Sequence, residues 1–324
     1  MELEWRQVRE EKPLARNRVA IAESPHLGPA NVLSMIGLCF LWGGSFISIK
    51  ICLRGIPPVG LSALRFALVS ICLGFYLHWR GIGLWFGRES FRWLAASGLL
   101  LTIQMTLLFV GIQFTTAGRA SILLNLQPFF VLLVAHFFLD RDTLTTRKSL
   151  GMAVAFVGVV VLFADRWTAV DAWGLVGDSL IVLSAMGWSL QVFLLKRPLA
   201  HLPPAGVVAW QSLFVAVVGG IVALIVEGRN GYNITPLVLV AFLYLSLVAA
   251  AFSYVVYIHL VQRTLATQLH SFVFLTPVFS VIGGAILLGE AVGWPLLVGL
   301  AGVTTGIIIV NTGLAVTLLP EGGG

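Results

Sequence analysis

"GIPPVGLSALRF" occupies residues 55–66 and "LPPAGVVAWQSL" residues 202–213. Each places a proline doublet between two apolar runs, and the doublets stand 146 residues apart, from Pro57 to Pro203. Proline lacks an N–H and fixes φ, so it suits the first positions of a helix, where that donor has no partner anyway. A doublet after a short turn reads as a helix start. Its recurrence carries more, because other residues repeat in step. Trp42 falls on Trp188, Lys50 on Lys196 and Gly60 on Gly206 at the same offset. Further on, Asp142 falls on Glu290, Gly151 on Gly299 and Gly158 on Gly306 at offset 148, and Pro128 on Pro277 at 149. The chain is a tandem duplication.

The medium follows from composition. Of 324 residues, 58% are hydrophobic and 10% charged, with a mean hydropathy of +0.97. Soluble proteins carry about 25% charged residues, so this chain is an integral membrane protein. Apolar runs of spanning length are placed at 31–51, 58–79, 91–112, 118–138, 147–164, 173–195, 205–226, 236–259, 267–288 and 294–314. They must be helices, because a segment in lipid has to satisfy its own backbone groups. The expected fold is an all-α membrane protein of ten transmembrane helices. Five spans in each unit make the second copy enter from the opposite side, which is an inverted repeat. The repeats are set at 31–165 and 173–314, with a polar N-terminal tail at 1–30 and a short tail at 315–324.

Basic residues orient the chain. The N-terminal tail carries Arg6, Arg9, Lys12, Arg16 and Arg18. Loops on the same side carry Arg80, Arg88, Arg92, Arg141, Arg147, Lys148, Lys196, Arg197 and Arg263. The other side holds only Lys50, Arg54, Arg119, Arg166 and Arg229. The excess marks the cytoplasmic face and puts both termini there. The net charge of +6 thus reflects topology and contact with anionic lipid heads, not a nucleic-acid partner. The tail lacks the apolar core of a cleaved signal peptide. Cys39, Cys52 and Cys72 fall in or beside spans, without metal spacing, and no cofactor motif is present.

Three stretches resemble the EamA branch of the drug/metabolite transporter superfamily: "FLWGGSFISIKICLRGIPPVGLSALRF", "LQPFFVLLVAHFFLDRDTLTTRKSLGMAVAFVGVVVL" and "LTPVFSVIGGAILLGEAVGWPLLVGLAGVTTGIIIV". "LLGEAV" keeps that family's acidic residue at Glu290, whereas "FLDRDTL" offers Asp140 or Asp142 instead. The resemblance implies ten helices, outward movement of small metabolites such as amino acids or their derivatives, and a cavity between the two halves.

Polar groups inside spans are costly and need a reason. Trp42, Ser45, Gln104, Asn125, Gln127 and Trp188 fall near mid-membrane, with Gln191 one turn nearer the cytoplasm; as a set they outline a wet substrate cavity. Arg65, seven residues past Pro58, either snorkels outward or faces that cavity to hold a carboxylate, and a structural or gating role is expected of it before direct substrate contact. Its repeat mate is the neutral Gln211. His270 joins the candidates because its counterpart Ser121 is also polar, whereas Tyr254 and Tyr257 read as interfacial belt. Asp178 is the one acidic residue clearly inside a span, a coupling or gating candidate expected to face Arg65 across the outer vestibule. Pro128 and Pro277 are expected to kink the fourth helix of each half and act as hinges. Gly151, Ala155 and Gly158, with Gly299, Gly302 and Gly306, form small-residue stripes for close helix contact.

The leading function is a secondary transporter of a small-molecule substrate working by alternating access at the repeat interface. An intramembrane enzyme on a lipid-linked substrate would need HExxH, paired membrane aspartates or an acidic cluster to hold a diphosphate through magnesium, and none occurs; without GxxxxGK[ST], direct ATP drive is unsupported. A passive channel would need a carbonyl filter or a charged ring. A homodimer stays open on sequence alone.

Overall fold

The computed structural model describes residues 28–115, 117–139, 142, 144–162, 172–228, 232–288 and 294–312. The two tails, Asp140, Arg141, Arg166, Arg229 and Glu290, and the Arg119 side chain, lie outside the described residues. The described chain forms ten helical segments, counting each interrupted helix once. The first half holds α1 (Pro29–Cys52), α2 (Pro58–Trp79) and α3 (Arg88–Phe114). Then come α4 (Ala117–Leu124 and Gln127–Phe138) and α5 (Thr146–Leu162). The second half holds α6 (Ala172–Lys196), α7 (Pro204–Val226) and α8 (Pro236–Arg263). It ends with α9 (Ala266–Ser271, Phe272–Phe274, Leu275–Leu288) and α10 (Trp294–Thr312). Eight of these are long and apolar enough to cross a bilayer; α5 has 17 residues, and the apolar stretch of α10 is Leu297–Asn311.

Proline starts α1, α2, α7 and α8, so the doublets do open the second helix of each half. No local side chain caps α2. Instead Glu227, beyond the end of α7, accepts from Val59 N and Gly60 N at 2.8 Å each, placing a carboxylate where the α2 dipole is positive. Beside it, Asn233 N donates to Gly55 O at 2.8 Å. We call this end of the bundle, where α1 finishes, the upper end. At the lower end Trp210 Nε1 donates to Leu84 O at 2.8 Å and Gln262 Nε2 to Leu199 O and Leu202 O at 3.2 Å. Loops from both halves therefore meet at each end, as an inverted repeat requires.

Helix pairing has the same symmetry. α2 packs on its mate α7, and α5 on its mate α10; α3 packs on α6 as α8 packs on α1, and α4 on α6 as α9 on α1. The α5–α10 pair shows why the small-residue stripes recur. A Cβ on Gly158 would lie 2.6 Å from Val303 N, and one on Gly306 would meet Gly151 O, Ala155 N and Ala155 Cβ. In lipid, where apolar surface gains nothing by pairing, such close backbone approach supplies the dispersion energy that joins helices. Gly306→Val should therefore force the pair apart, at about 1–3 kcal/mol, and lower the melting temperature of the purified protein. Gly74→Ala, with nothing within 4 Å of the new methyl, should leave it unchanged. Equal melting for both variants would refute this packing account.

The prolines of the fourth helices interrupt rather than bend them. In α4 residues 125–126 leave the helix just before Gln127–Phe138, with Pro128 in its first turn. In α9 a 3-10 turn, Phe272–Phe274, precedes Leu275–Leu288, which contains Pro277. Each proline lacks the N–H that would bond four residues back, to Leu124 and Val273, and its ring crowds that carbonyl. Two further irregularities are π-helical: Val215–Gly219 in α7 and Tyr244–Phe252 in α8.

Candidate functional site

Between the halves lies a cavity with an open mouth. α1 contributes Trp42, Ser45, Phe46 and Ile49; α2 contributes Arg65; α3 contributes Gln104, Met105 and Leu108. The broken helices contribute Leu124, Asn125 and Gln127 from α4, and Val273 and Thr276 from α9. Trp188 of α6 and Ala249 and Tyr254 of α8 complete the wall. From Trp42 to Ile49 the wall rises about 10 Å along α1 toward the upper end. The interruptions before Pro128 and Pro277 thus turn both fourth helices toward the cavity at mid-bundle, where discontinuous helices commonly expose polar groups.

Seven sequence candidates meet here: Trp42, Ser45, Arg65, Gln104, Asn125, Gln127 and Trp188. Several of their polar atoms are uncommitted. Gln104 Oε1 and Asn125 Oδ1 are buried without a hydrogen-bond partner among the described residues, whereas Thr276 Oγ1 is shared with the Cys39 thiol. Asn125 Nδ2 is engaged, donating to Ser121 O at 2.7 Å, so only its oxygen is on offer. Buried polar atoms are nearly always paired, and two of the orphaned oxygens among the described residues belong to side chains that line this cavity.

Arg65 is the cavity's cation, 4% exposed. Its Nε donates to Leu245 O at 3.0 Å and one Nη to Ala249 O at 3.2 Å. The rings of Phe66, Phe109 and Tyr254 lie 5.3, 5.9 and 6.0 Å from Cζ. No carboxylate among the described residues pairs with it. The expected partnership with Asp178 does not form: Asp178 accepts from Thr115 Oγ1 at 2.9 Å, at the end of α3, where Lys50 Nζ caps Ile112 O and Thr115 O at 2.9 and 3.0 Å. Similar depth had suggested the pair, but the two side chains turn to different neighbours.

The floor is aromatic. Trp42 and Trp188 meet edge-on at 6.4 Å, and Tyr257 lies 5.5 and 5.6 Å from them. Trp42 Nε1 donates to Ser253 Oγ at 3.0 Å and Trp188 Nε1 to the Tyr257 hydroxyl at 3.1 Å. Tyr254 and Tyr257 are buried, so the interfacial reading of both was wrong. His270 lies beneath the floor rather than on the cavity wall, with Nε2 2.8 Å from the Tyr257 hydroxyl and Nδ1 2.8 Å from Ala266 O. Gln191 is also outside the wall, donating to Ser97 Oγ at 2.8 Å. Thr276 and Tyr254 were missed. Thr276 stands beside Pro277 and across the repeat from Gln127 (127 + 149), the signal that could have found it.

Residues 30–164 and 175–312 each match the model of the EamA-like transporter family. The chain belongs to the EamA-like transporter family. Similar proteins include the uncharacterized transporter YoaV of Bacillus subtilis, 23% identical over 86% of this chain and 95% of that protein. Probable amino-acid metabolite efflux pumps of Salmonella typhimurium and Escherichia coli are each 27% identical, over 83% and 85% of this chain and 90% and 92% of theirs. A solved crystal structure superposes with a TM-score of 0.76 at 19% identity, covering 89% of this chain and 98% of the other, which speaks to the fold. As an EamA-like protein the chain is a multi-pass membrane transporter of small molecules and not an enzyme.

Proposed function

We propose that this EamA-like protein exports small zwitterionic metabolites, amino acids or their derivatives, by alternating access across a bacterial inner membrane. The observation that carries the reading is one cavity holding both a buried guanidinium with no carboxylate partner among the described residues and uncommitted oxygens on Gln104 and Asn125. A carboxylate suits the first and an ammonium the second; a purely anionic or purely apolar ligand would satisfy only part of the site. The efflux pumps of similar sequence agree with this substrate class. The closed aromatic floor favours a carrier over a channel, because a channel needs a continuous path. The basic-residue asymmetry supports the upper end as the outer face and both termini as cytoplasmic. Pro128 and Pro277 serve as hinges in this scheme, and Asp178 as an outer tie through Thr115.

Counterflow in proteoliposomes tests it. Preloaded unlabelled L-leucine should accelerate uptake of labelled L-leucine, with saturation, whereas L-leucinamide and acetate should exchange poorly. Flux that never saturates would favour a channel, and exchange of nucleosides or sugars but no amino acid would overturn the substrate class. Cysteines replacing Gly83 and Ile234 in a cysteine-free background should label from opposite sides, Gly83 from the cytoplasm.

A further inference from the structure

The duplicated fold carries an internal comparison at Arg65. On the second helix of each half a polar residue reaches the third helix of the other half. Arg65 of α2 reaches Leu245 of α8, and its mate Gln211 of α7 reaches Ser97 of α3 through Nε2 to Oγ at 2.6 Å. Leu245 and Ser97 lie at corresponding depths on the third helices of their halves. The two contacts differ in kind. Gln211 takes a side-chain hydroxyl, and α3 stays a regular α-helix from Arg88 to Phe114. Arg65 takes two backbone carbonyls, and both lie in the π-helical stretch Tyr244–Phe252.

Helix carbonyls are normally committed to their own ladder. A side chain inserted on that ladder is one of the few causes of a local distortion, and π turns cluster at functional sites. The distortion also has a consequence downstream. Each residue of register given up between π and α geometry turns the rest of the helix by about 100°. The rest of α8, Ser253–Arg263, carries Ser253, Tyr254 and Tyr257 into the aromatic floor.

We propose that Arg65 is a ligand-operated clasp: its guanidinium holds α8 in the π register that closes the floor, and a carboxylate entering the cavity draws the guanidinium off Leu245 O and Ala249 O, letting α8 turn and the floor open. A carboxylate is the stronger acceptor, engaging the guanidinium fork with two charge-assisted bonds. The ligand thus binds the released state better than the clasped one, the differential affinity any induced change requires. The clasp rests on the zwitterion reading for its trigger but not for its ligand-free form.

Hydrogen exchange read by mass spectrometry on purified protein tests both parts. Arg65→Gln without ligand should exchange at least fivefold faster than wild type across 244–258, because a released segment moves between registers and exposes its amides. Arg65→Lys, which keeps a cation but loses the fork, should fall between; it also serves if the glutamine variant does not fold. In wild type, L-leucine should accelerate the same segment, and L-leucinamide should not. Exchange across 244–258 within twofold of wild type in the folded Arg65 variants overturns the clasp. So does L-leucine that shifts the melting temperature yet leaves this segment unchanged. If L-leucine produces no melting shift at all, the substrate reading falls, and the variants alone decide the clasp.

Discussion

Asp142→Ala is expected to cost about 3 kcal/mol of unfolding free energy, the lower part of the range for breaking a buried ion pair. Asp142 is 2% exposed and does two things. Its Oδ1 pairs with Lys148 Nζ at 2.8 Å, and its Oδ2 accepts from Thr267 N, also at 2.8 Å. Thr267 N lies in the first turn of α9, a donor with no partner in its own helix. Alanine leaves that N–H buried and unpaired and removes the charge opposite Lys148. Asp142→Asn keeps an acceptor for Thr267 and loses only the charge, so about half the loss should return. Chemical denaturation in mixed micelles reads all three proteins. Alanine and asparagine variants both within about 0.5 kcal/mol of wild type, the range of an ordinary surface change, would show that Asp142 is a bystander. The tie also joins the loop of one half to a helix of the other at the lower end, so opening that end must break or carry it.

Asp142 also shows which features of the molecule are legible in its sequence. Its match with Glu290 belongs to the repeat, and the repeat follows from identities at constant offset, which survive whatever the helices do in space. The cavity was legible for a related reason. Lipid gives a buried amide or cation so few partners that Gln104, Asn125, Gln127 and Arg65 had to gather somewhere inside. Depth was legible too, because each residue advances a fixed 1.5 Å along the axis.

Azimuth was not. Arg65 and Asp178 sit at similar depth, yet one turns to α8 and the other to the end of α3. Tyr254 and Tyr257 show the cause most plainly. They follow a π-helical stretch, and past such a stretch a period of 3.6 residues no longer tells which face a side chain occupies. Nothing in "YLSLVAAAF" (244–252) announces that widening; it coincides with a guanidinium from a helix 180 residues away in the chain. Gln191 and His270 also depart from expectation, each finding a neighbour, Ser97 and Tyr257, behind the wall.

Gln104→Leu separates site from scaffold, because its two effects should have opposite sign. The Gln104 carboxamide lines the cavity, makes no hydrogen bond among the described residues, and has a buried, orphaned Oε1. A buried polar group without a partner costs about 1–3 kcal/mol, and an apolar group of similar shape relieves that cost. Leucine is also a good helix former, and Ser184 Oγ, which donates to the Gln104 backbone oxygen at 3.0 Å, keeps its acceptor. The variant should therefore melt at or above the wild-type temperature. Transport should fall at least tenfold, since a hydrogen bond to a charged ligand group is worth about 1.5–3 kcal/mol. Asn125→Leu should lose transport to a similar extent but also lose stability, because its Nδ2 bond to Ser121 O closes the first part of α4. Counterflow rates and melting curves on the same preparations decide the matter. A Gln104→Leu protein that melts lower and loses transport only in proportion to its folded yield would assign Gln104 to helix packing and take the ammonium subsite away with it.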